Sequence, residues 1–235
     1  MGNREKLIAY ACKYEGEYFK MLKAINEQEE IEEINMNNCL TILDDNYPEA
    51  LKELKYPPLV LFYKGNLGLL SKEKIGVVGS RIACEYALKA TEYLIENNKD
   101  KVIVSGLAKG IDGKAHDASE LSIGVLGCGI EYIYPIENIN LYRKLEKDGL
   151  ILSEYPGLTK PLAYHFPFRN RIIAALANSV YVMQSSERSG TVTTINEALE
   201  LQKEVIVLPY SIFDKHGQYN NKLINDGASI YLINY

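Results

Sequence analysis

The stretch IGVVGSRIACEYALKATEYLIENNKDKVIVSG, residues 75–106, decides the fold. Its ends, Ile75–Val78 and Val102–Val104, are continuous apolar runs rich in β-branched residues, and Ala83–Asn97 between them has helical periodicity. A strand covered on both faces needs no alternating polar positions, and a helix joining two such strands is the unit of a parallel sheet. The unit recurs. Further apolar runs stand at Ile123–Leu126, Leu150–Leu152, Val180–Met183, Val205–Leu208 and Ser229–Ile233. Helical stretches separate most of them, as in Thr191–Gln202, where Val192, Ile195, Leu199 and Gln202 mark one face. The expected class is α/β, a Rossmann-like doubly wound, mostly parallel sheet with helices on both sides.

Upstream the texture changes. Pro48, Pro57 and Pro58 lead into one more apolar run, Leu59–Tyr63, ended by Gly65. Before it, residues 1–36 are rich in Glu, Lys and Asn, and Leu7, Ala11, Tyr14, Tyr18, Leu22 and Ile25 recur at helical spacing. The reading is an N-terminal helical segment over 1–36 and one Rossmann-like domain over 37–235. A chain of 235 residues buries a core without disulfides or metals. Cys12, Cys39, Cys84 and Cys128 have neither metal-ligand nor redox spacing and are read as free thiols, and no metal site is expected. The charged N-terminus has no apolar signal core, and no run of about 18 apolar residues occurs, so a soluble cytoplasmic protein without membrane contact is expected. The formal net charge of −5 argues against a broad nucleic-acid-binding face. Any such role must rest on a local basic site.

In doubly wound sheets ligands bind outside the carboxyl ends of the strands. The residues following the apolar runs are therefore the informative ones, and most are Gly or Ser: Gly79-Ser80-Arg81, Ser105-Gly106, Gly127-Cys128-Gly129 and Ser189-Gly190-Thr191. Small residues let a backbone approach a ligand, and free N–H groups at a helix start attract phosphate. The first turn lacks G-x-G-x-x-G spacing, which removes the main support for a dinucleotide cofactor, and none is expected. Arg81 sits where a helix dipole disfavours cations, so it either pairs with a carboxylate or awaits an anion. Ser189 and Thr191 serve equally to cap the helix they open or to hold an oxyanion. In His165-Phe166-Pro167-Phe168-Arg169-Asn170-Arg171, rings and guanidinium groups interleave. That combination suits a single nucleic-acid strand, with bases on rings and phosphates on cations, and equally a buried aromatic anchor with solvated arginines. No nucleophile–base arrangement and no phosphate-binding G-x-x-x-x-G-K-[ST] loop stands out, so the chain is not read as an enzyme. Asp112 is read as structural, hydrogen-bonded to His116 one helical turn on.

Taken in order, Pro57-Pro-Leu-Val-Leu-Phe-Tyr-Lys-Gly65, Val77-Val-Gly-Ser-Arg81, Ser105-Gly-Leu-Ala-Lys-Gly-Ile-Asp-Gly113 with Ala115-His116, and Val125-Leu-Gly-Cys-Gly129 with Tyr134-Pro135 and Asn138 resemble the DprA/Smf DNA-processing family. So do Ser153-Glu-Tyr-Pro156, His165-Phe-Pro with Arg169-Asn-Arg-Ile-Ile-Ala174, Arg188-Ser-Gly190, and Asn221-Lys-Leu-Ile with Gly227-Ala228. The resemblance covers residues 40–233. It implies a homodimeric protein without accepted catalytic activity that binds and protects single-stranded DNA and loads the RecA recombinase onto it in natural transformation. Carried over, the DNA pocket comprises Arg81, Arg169 and Arg171, with Phe166 stacking and Gly79, Ser80, Ser105, Gly106, Asn170, Ser189, Gly190 and Thr191 beside them. The sequence departs from the family at Phe168, where a basic residue is usual, at Pro209-Tyr210 in place of Pro-Gly, and in the spacing of Gly217 from Asn221. Many members continue into a C-terminal winged-helix domain; none is expected here.

Two other readings stand beside this one. Nucleoside-monophosphate phosphoribohydrolases on a related scaffold resemble P-G-G-x-G-T-x-x-E; Gly190-Thr191 fits, but Thr194 occupies the Glu position and Glu197 lies one turn further. The negative charge also fits an adaptor that has lost DNA binding.

Overall fold

The computed structural model describes residues 1–233. Each apolar run becomes a strand: β1 (Cys39–Thr41), β2 (Val60–Gly65), β3 (Lys74–Gly79), β4 (Val102–Ser105), β5 (Ser122–Leu126), β6 (Leu150–Ser153), β7 (Ser179–Gln184), β8 (Glu204–Val207) and β9 (Ser229–Ile230). They form one sheet in the order β1-β2-β6-β5-β4-β3-β7-β8-β9. From β6 to β9 every pairing is parallel, which is the doubly wound arrangement expected. From β3 the chain first winds outward through β4, β5 and β6, then returns to β3's other side and winds outward through β7, β8 and β9. The winding direction therefore reverses between β3 and β7. Such a reversal opens a crevice at the carboxyl ends of the two strands.

The helices are α1 (Asn3–Lys13), α2 (Tyr18–Asn26), α3 (Glu49–Lys52), α4 (Glu85–Glu96), α5 (Ile111–Ala118), α6 (Ile139–Asp148), α7 (His165–Leu176), α8 (Thr191–Glu200) and α9 (Gln218–Asn225). Successive strand residues point to opposite faces, and β6 displays this directly. Leu150 and Leu152 join the core beneath α7 and α8, whereas Ile151 joins the core formed with α6, α1 and α2. On that second side, α4 and α5 cover Ile75, Val77 and Ile103. Apolar neighbours on both faces leave no position for polar alternation, which is why the strands read as continuous apolar runs.

Three features depart from or extend the sequence reading. The run Leu59–Tyr63 supplies β2, and β1 and β2 are antiparallel to their neighbours, capping the β6 edge. Residues 1–36 are helical over α1 and α2, whereas residues 29–36 have no regular structure. There Glu29, Glu30, Glu32 and Glu33 would stack like charges at helical spacing, and Glu29 is held instead by Lys13 and Tyr14. The last run is shorter as a strand than its apolar length, because β9 is an edge with β8 as its partner. The final two residues of the 37–235 span lie outside the described residues.

The layered core yields a direct expectation. Leu152 is fully buried beneath α7, so Leu152→Ala should cost about 2–5 kcal/mol by cavity formation. That corresponds to a fall of about 4–20 °C in Tm, measurable by circular dichroism.

Candidate functional site

A cleft of about 780 Å³ occupies the crevice at the sheet's reversal. Three segments wall it: the turn after β3, with Gly79, Ser80 and Arg81; the first turns of α7, with Phe166, Arg169 and Asn170; and the start of α8, with Ser189, Gly190 and Thr191. Nine of the twelve residues anticipated from sequence thus meet in one cleft. Gly106 lines an adjoining recess of about 250 Å³ that shares Arg81, Phe166 and Arg169. Ser105 lies buried, its Oγ donating to the Val77 carbonyl (2.6 Å) and so tying β4 to β3. Arg171 faces elsewhere.

The two arginines of α7 explain this division. Residues two apart on a helix point about 200° apart, so Arg169 and Arg171 cannot share a surface. Arg171 is 3% exposed, and its Nη1 and Nη2 donate to the two carboxylate oxygens of Glu154 (2.7 and 2.6 Å). Its Nε donates to the Tyr56 carbonyl (2.8 Å), Nη1 also to the Phe168 carbonyl (2.7 Å), and the guanidinium lies 3.7 Å from the Phe168 ring centroid. Most of its donors are spent inside the fold. As a DNA contact Arg171 is therefore reassigned: it is the clamp between α7, the end of β6 and the loop before β2. Phe168 covers that clamp within a cluster of rings from Tyr18, Phe19 and Tyr56.

Arg169 forms the floor of the cleft. Its Nη1 donates to the carbonyls of Gly106 (3.0 Å) and Val125, at the ends of β4 and β5. A Cβ on Gly106 would stand 2.6 Å from Arg169 Nη2 and 2.7 Å from Asp112 Oδ2, so glycine is what admits this pair. Burial pushes the Asp112 carboxyl up, and Arg169 pulls it back. Burial likewise lowers Arg169 from its ordinary value, with Asp112 opposing. The expected Asp112–His116 hydrogen bond is absent; the carboxylate lies instead beside Arg169 in the cleft wall. His116 is fully buried, neither ring nitrogen has a hydrogen-bond partner, and burial pushes its pKa down to about 3, so it is neutral.

Above this floor the groups are open. Arg81 is exposed, makes no salt bridge among the described residues, and lies 5.4 Å from the Phe166 ring centroid. The carboxylate alternative for Arg81 is thereby removed. Phe166 also meets Tyr134, with ring centroids 5.7 Å apart. Tyr134 is exposed at the rim, and sequence reading had it in a motif but not in the site. Across the cleft, Ser189 Oγ donates to Thr191 Oγ1 (2.9 Å) and accepts from Thr191 N (3.1 Å). The hydroxyls bond locally at the start of α8, whose N-terminus opens into the cleft. Nothing lies within 4 Å of a Cβ built on Gly190, whose carbonyl accepts from Asn170 Nδ2 (3.1 Å). That bond fixes α8 against α7. Ser80 N donates to the Gln184 carbonyl (2.8 Å), joining the ends of β3 and β7 under the cleft. The arrangement offers one free guanidinium, one helix N-terminus and two rings around an open volume, which suits an anionic, aromatic ligand. Among the described residues no group of three His, Cys, Asp or Glu side chains could hold a metal. Glu197 does not line the cleft, although Thr191 and Thr194 of the same helix do.

Comparison with known proteins follows the same lines. The family model of DNA recombination-mediator protein A matches residues 38–234. The chain is 42% identical over 237 residues to the DNA processing protein DprA of Bacillus subtilis, covering 96% of this chain and 77% of that protein. It superposes on the crystal structure of DNA processing protein A from Streptococcus pneumoniae with a TM-score of 0.83 at 34% identity, over 98% of this chain and 95% of that one. It superposes on DNA processing protein A from Helicobacter pylori, in a structure concerned with single-stranded DNA binding, with a TM-score of 0.75 at 31% identity. That match covers 82% of this chain and 90% of the other.

The two arginine roles separate by experiment. Arg171→Ala leaves Glu154 as an unpaired buried charge and should cost about 3–5 kcal/mol in urea unfolding. Arg81→Ala, at an exposed unpaired position, should change stability by no more than about 0.5 kcal/mol.

Proposed function

The chain belongs to the DNA recombination-mediator protein A (DprA/Smf) family, and from that premise we propose that it binds single-stranded DNA in the cleft between β3 and β7 and loads the RecA recombinase onto it. The observation that carries the reading is Arg81: an unpaired, exposed guanidinium beside a ring, facing a helix N-terminus across an open cleft. A phosphate takes the guanidinium and the α8 N–H groups, and a base takes the Phe166–Tyr134 wall. Arg169 acts from below as fixed positive potential, its Nη1 held by strand-end carbonyls and its Nε by Asn170 Oδ1. Gly190 keeps a side chain out of the ligand's way, whereas Gly79 and Gly106 admit the close packing of Ile111 and of Arg169 behind the cleft wall.

The acidic net charge sets the scale. A local site of this size supports about 3–5 phosphate contacts, giving moderate affinity that falls with salt at a log–log slope of about −2 to −3.5. Protection of the strand, service in natural transformation and a homodimeric state belong to the same proposal and rest on family membership. So does a binding rather than catalytic role. Glu197, the carboxylate nearest the position a phosphoribohydrolase motif requires, stays outside the cleft. Incubation with AMP should accordingly release no adenine.

The decisive measurement is fluorescence anisotropy of an oligo-dT. Arg81→Ala should weaken binding and make the salt slope shallower by about 0.7, the share of one phosphate. Phe166→Ala should cost about 1–3 kcal/mol by loss of stacking. Unchanged binding by both variants, with the fold intact, would reject the cleft as the site. For the recombinase step, adding the protein should shorten the lag of RecA ATP hydrolysis on strand precoated with single-strand-binding protein; an unchanged lag would reject that step.

A further inference from the structure

We infer that a second cleft, beside the first, holds the continuation of the same strand as a phosphate-binding subsite; this rests on the reading of the first cleft as the single-stranded DNA site. The second cleft, of about 590 Å³, lies between the loop after β7 and the segment from Lys215 into α9. Ser80, Ser186 and Ser189 line both clefts, so the two meet along a lip of hydroxyls without a bulky side chain. Each volume falls within the range of about 300–1,000 Å³ that holds a small-molecule-sized ligand, here one or a few nucleotides.

The charge of the second cleft points to an anion. Arg188, Lys215 and Lys222 line it, against the single carboxylate of Glu187. In a molecule of net charge −5 this is a local reversal of sign. Arg188 and Lys215 make no salt bridge among the described residues. Lys222 pairs with Glu187 at 2.8 Å, but both are more than half exposed, and such a pair is readily exchanged for a phosphate. His216 Nδ1 lies 2.8 Å from Asp214 Oδ1 at the base of the same segment. Tyr219, half-buried on the wall, supplies a ring for one base.

The walls are built rather than incidental. Asn220 is fully buried; its Oδ1 accepts from Ser185 N (2.8 Å), and its Nδ2 donates to the carbonyls of Leu208 (3.0 Å) and Val182 (3.2 Å). One side chain thus fixes α9 against the ends of β7 and β8. Asn221 exchanges two hydrogen bonds of 3.0 Å with the Tyr210 backbone, setting the base of the opposite loop. The cationic side chains stand on this frame, exposed and poised. A strand leaving the first cleft past Ser186 and Ser189 meets them next.

The test compares thymidylate oligomers of about four and about ten nucleotides, sized to fill one cleft or to run through both. The double variant Lys215→Gln/Lys222→Gln should leave binding of the short oligomer unchanged. For the long oligomer it should make the salt slope shallower by about 1.4, the share of two phosphates, and lower the affinity several-fold. Arg188→Gln should act in the same direction with about half the effect on slope. All three positions are exposed, so thermal melts should match the parent chain. An unchanged slope with the long oligomer, or equal losses with short and long, would overturn the second cleft while leaving the first intact. Failure of the unmodified chain to bind either oligomer would instead overturn the reading of the first cleft, and the second with it.

Discussion

Two guanidinium groups buried on one helix hold this molecule together. α7 begins at the carboxyl ends of the central strands and runs along the sheet face toward the start of β3 with its apolar residues sealed beneath, and burial of that helix drags Arg169 and Arg171 out of water. A buried charge is tolerated when it is paired and hydrogen-bonded, and each arginine finds a different solution. Arg171 takes the Glu154 carboxylate bidentately and clamps α7 to β6 and the β2 approach. Arg169 takes the carbonyls at the ends of β4 and β5, with Asp112 beside it. The strand ends are where a ligand must bind, so the same interactions that close the core also shape the cleft floor. Stability and site share one helix.

Division of labour among the cations follows from this. In an acidic chain, attraction for a polyanion cannot come from the whole surface, so it depends on where unpaired positive charge is left standing. Arg171 is neutralised by Glu154 and contributes little outward field. Arg169 is fixed, and its position between Gly106 and Asp112 leaves it as a static contributor. Arg81 keeps its donors free, held near Phe166 by a ring contact that a base and a phosphate could share between them. A weak resting contact of that kind is easily exchanged, whereas a bidentate carboxylate is not.

The fold was legible because its strands are buried on both sides; Ile75–Val78, Ile123–Leu126 and Leu150–Leu152 could hardly be anything else. The antiparallel β1–β2 edge was not, since nothing local in Leu59–Tyr63 encodes the direction of its neighbour. Of the site, the Gly and Ser turns were found by position alone, at the ends of apolar runs. Treating Arg169 and Arg171 alike was the avoidable error: once residues 165–176 are taken as a helix, a spacing of two separates them to opposite faces. The loss of the Asp112–His116 pair was not legible in the same way. Asp112 lies instead beside Arg169, 57 positions further along the chain, a neighbourhood that helical spacing cannot reveal. Tyr134 escaped for a similar reason, reaching Phe166 only through the tertiary fold.

The protonation states around the cleft complete the physical case for a binding surface. His116 is neutral at physiological pH and sealed from the cleft, and burial pushes the Cys128 thiol up to about 11, far from a reactive thiolate. Asp112 lines the cleft beside Arg169, whose charge opposes the upward push of burial on its carboxyl. His116 and Cys128 thus offer the cleft neither a general base nor a thiolate. Apart from the Asp112 carboxyl, what faces the open volume is permanently charged or uncharged: guanidinium groups, a helix N-terminus, locally bonded hydroxyls, and rings. Such groups hold a polyanion without changing it, and they release it when salt or a competing protein surface supplies the same contacts. A deeper or more highly charged pocket would forfeit that reversibility.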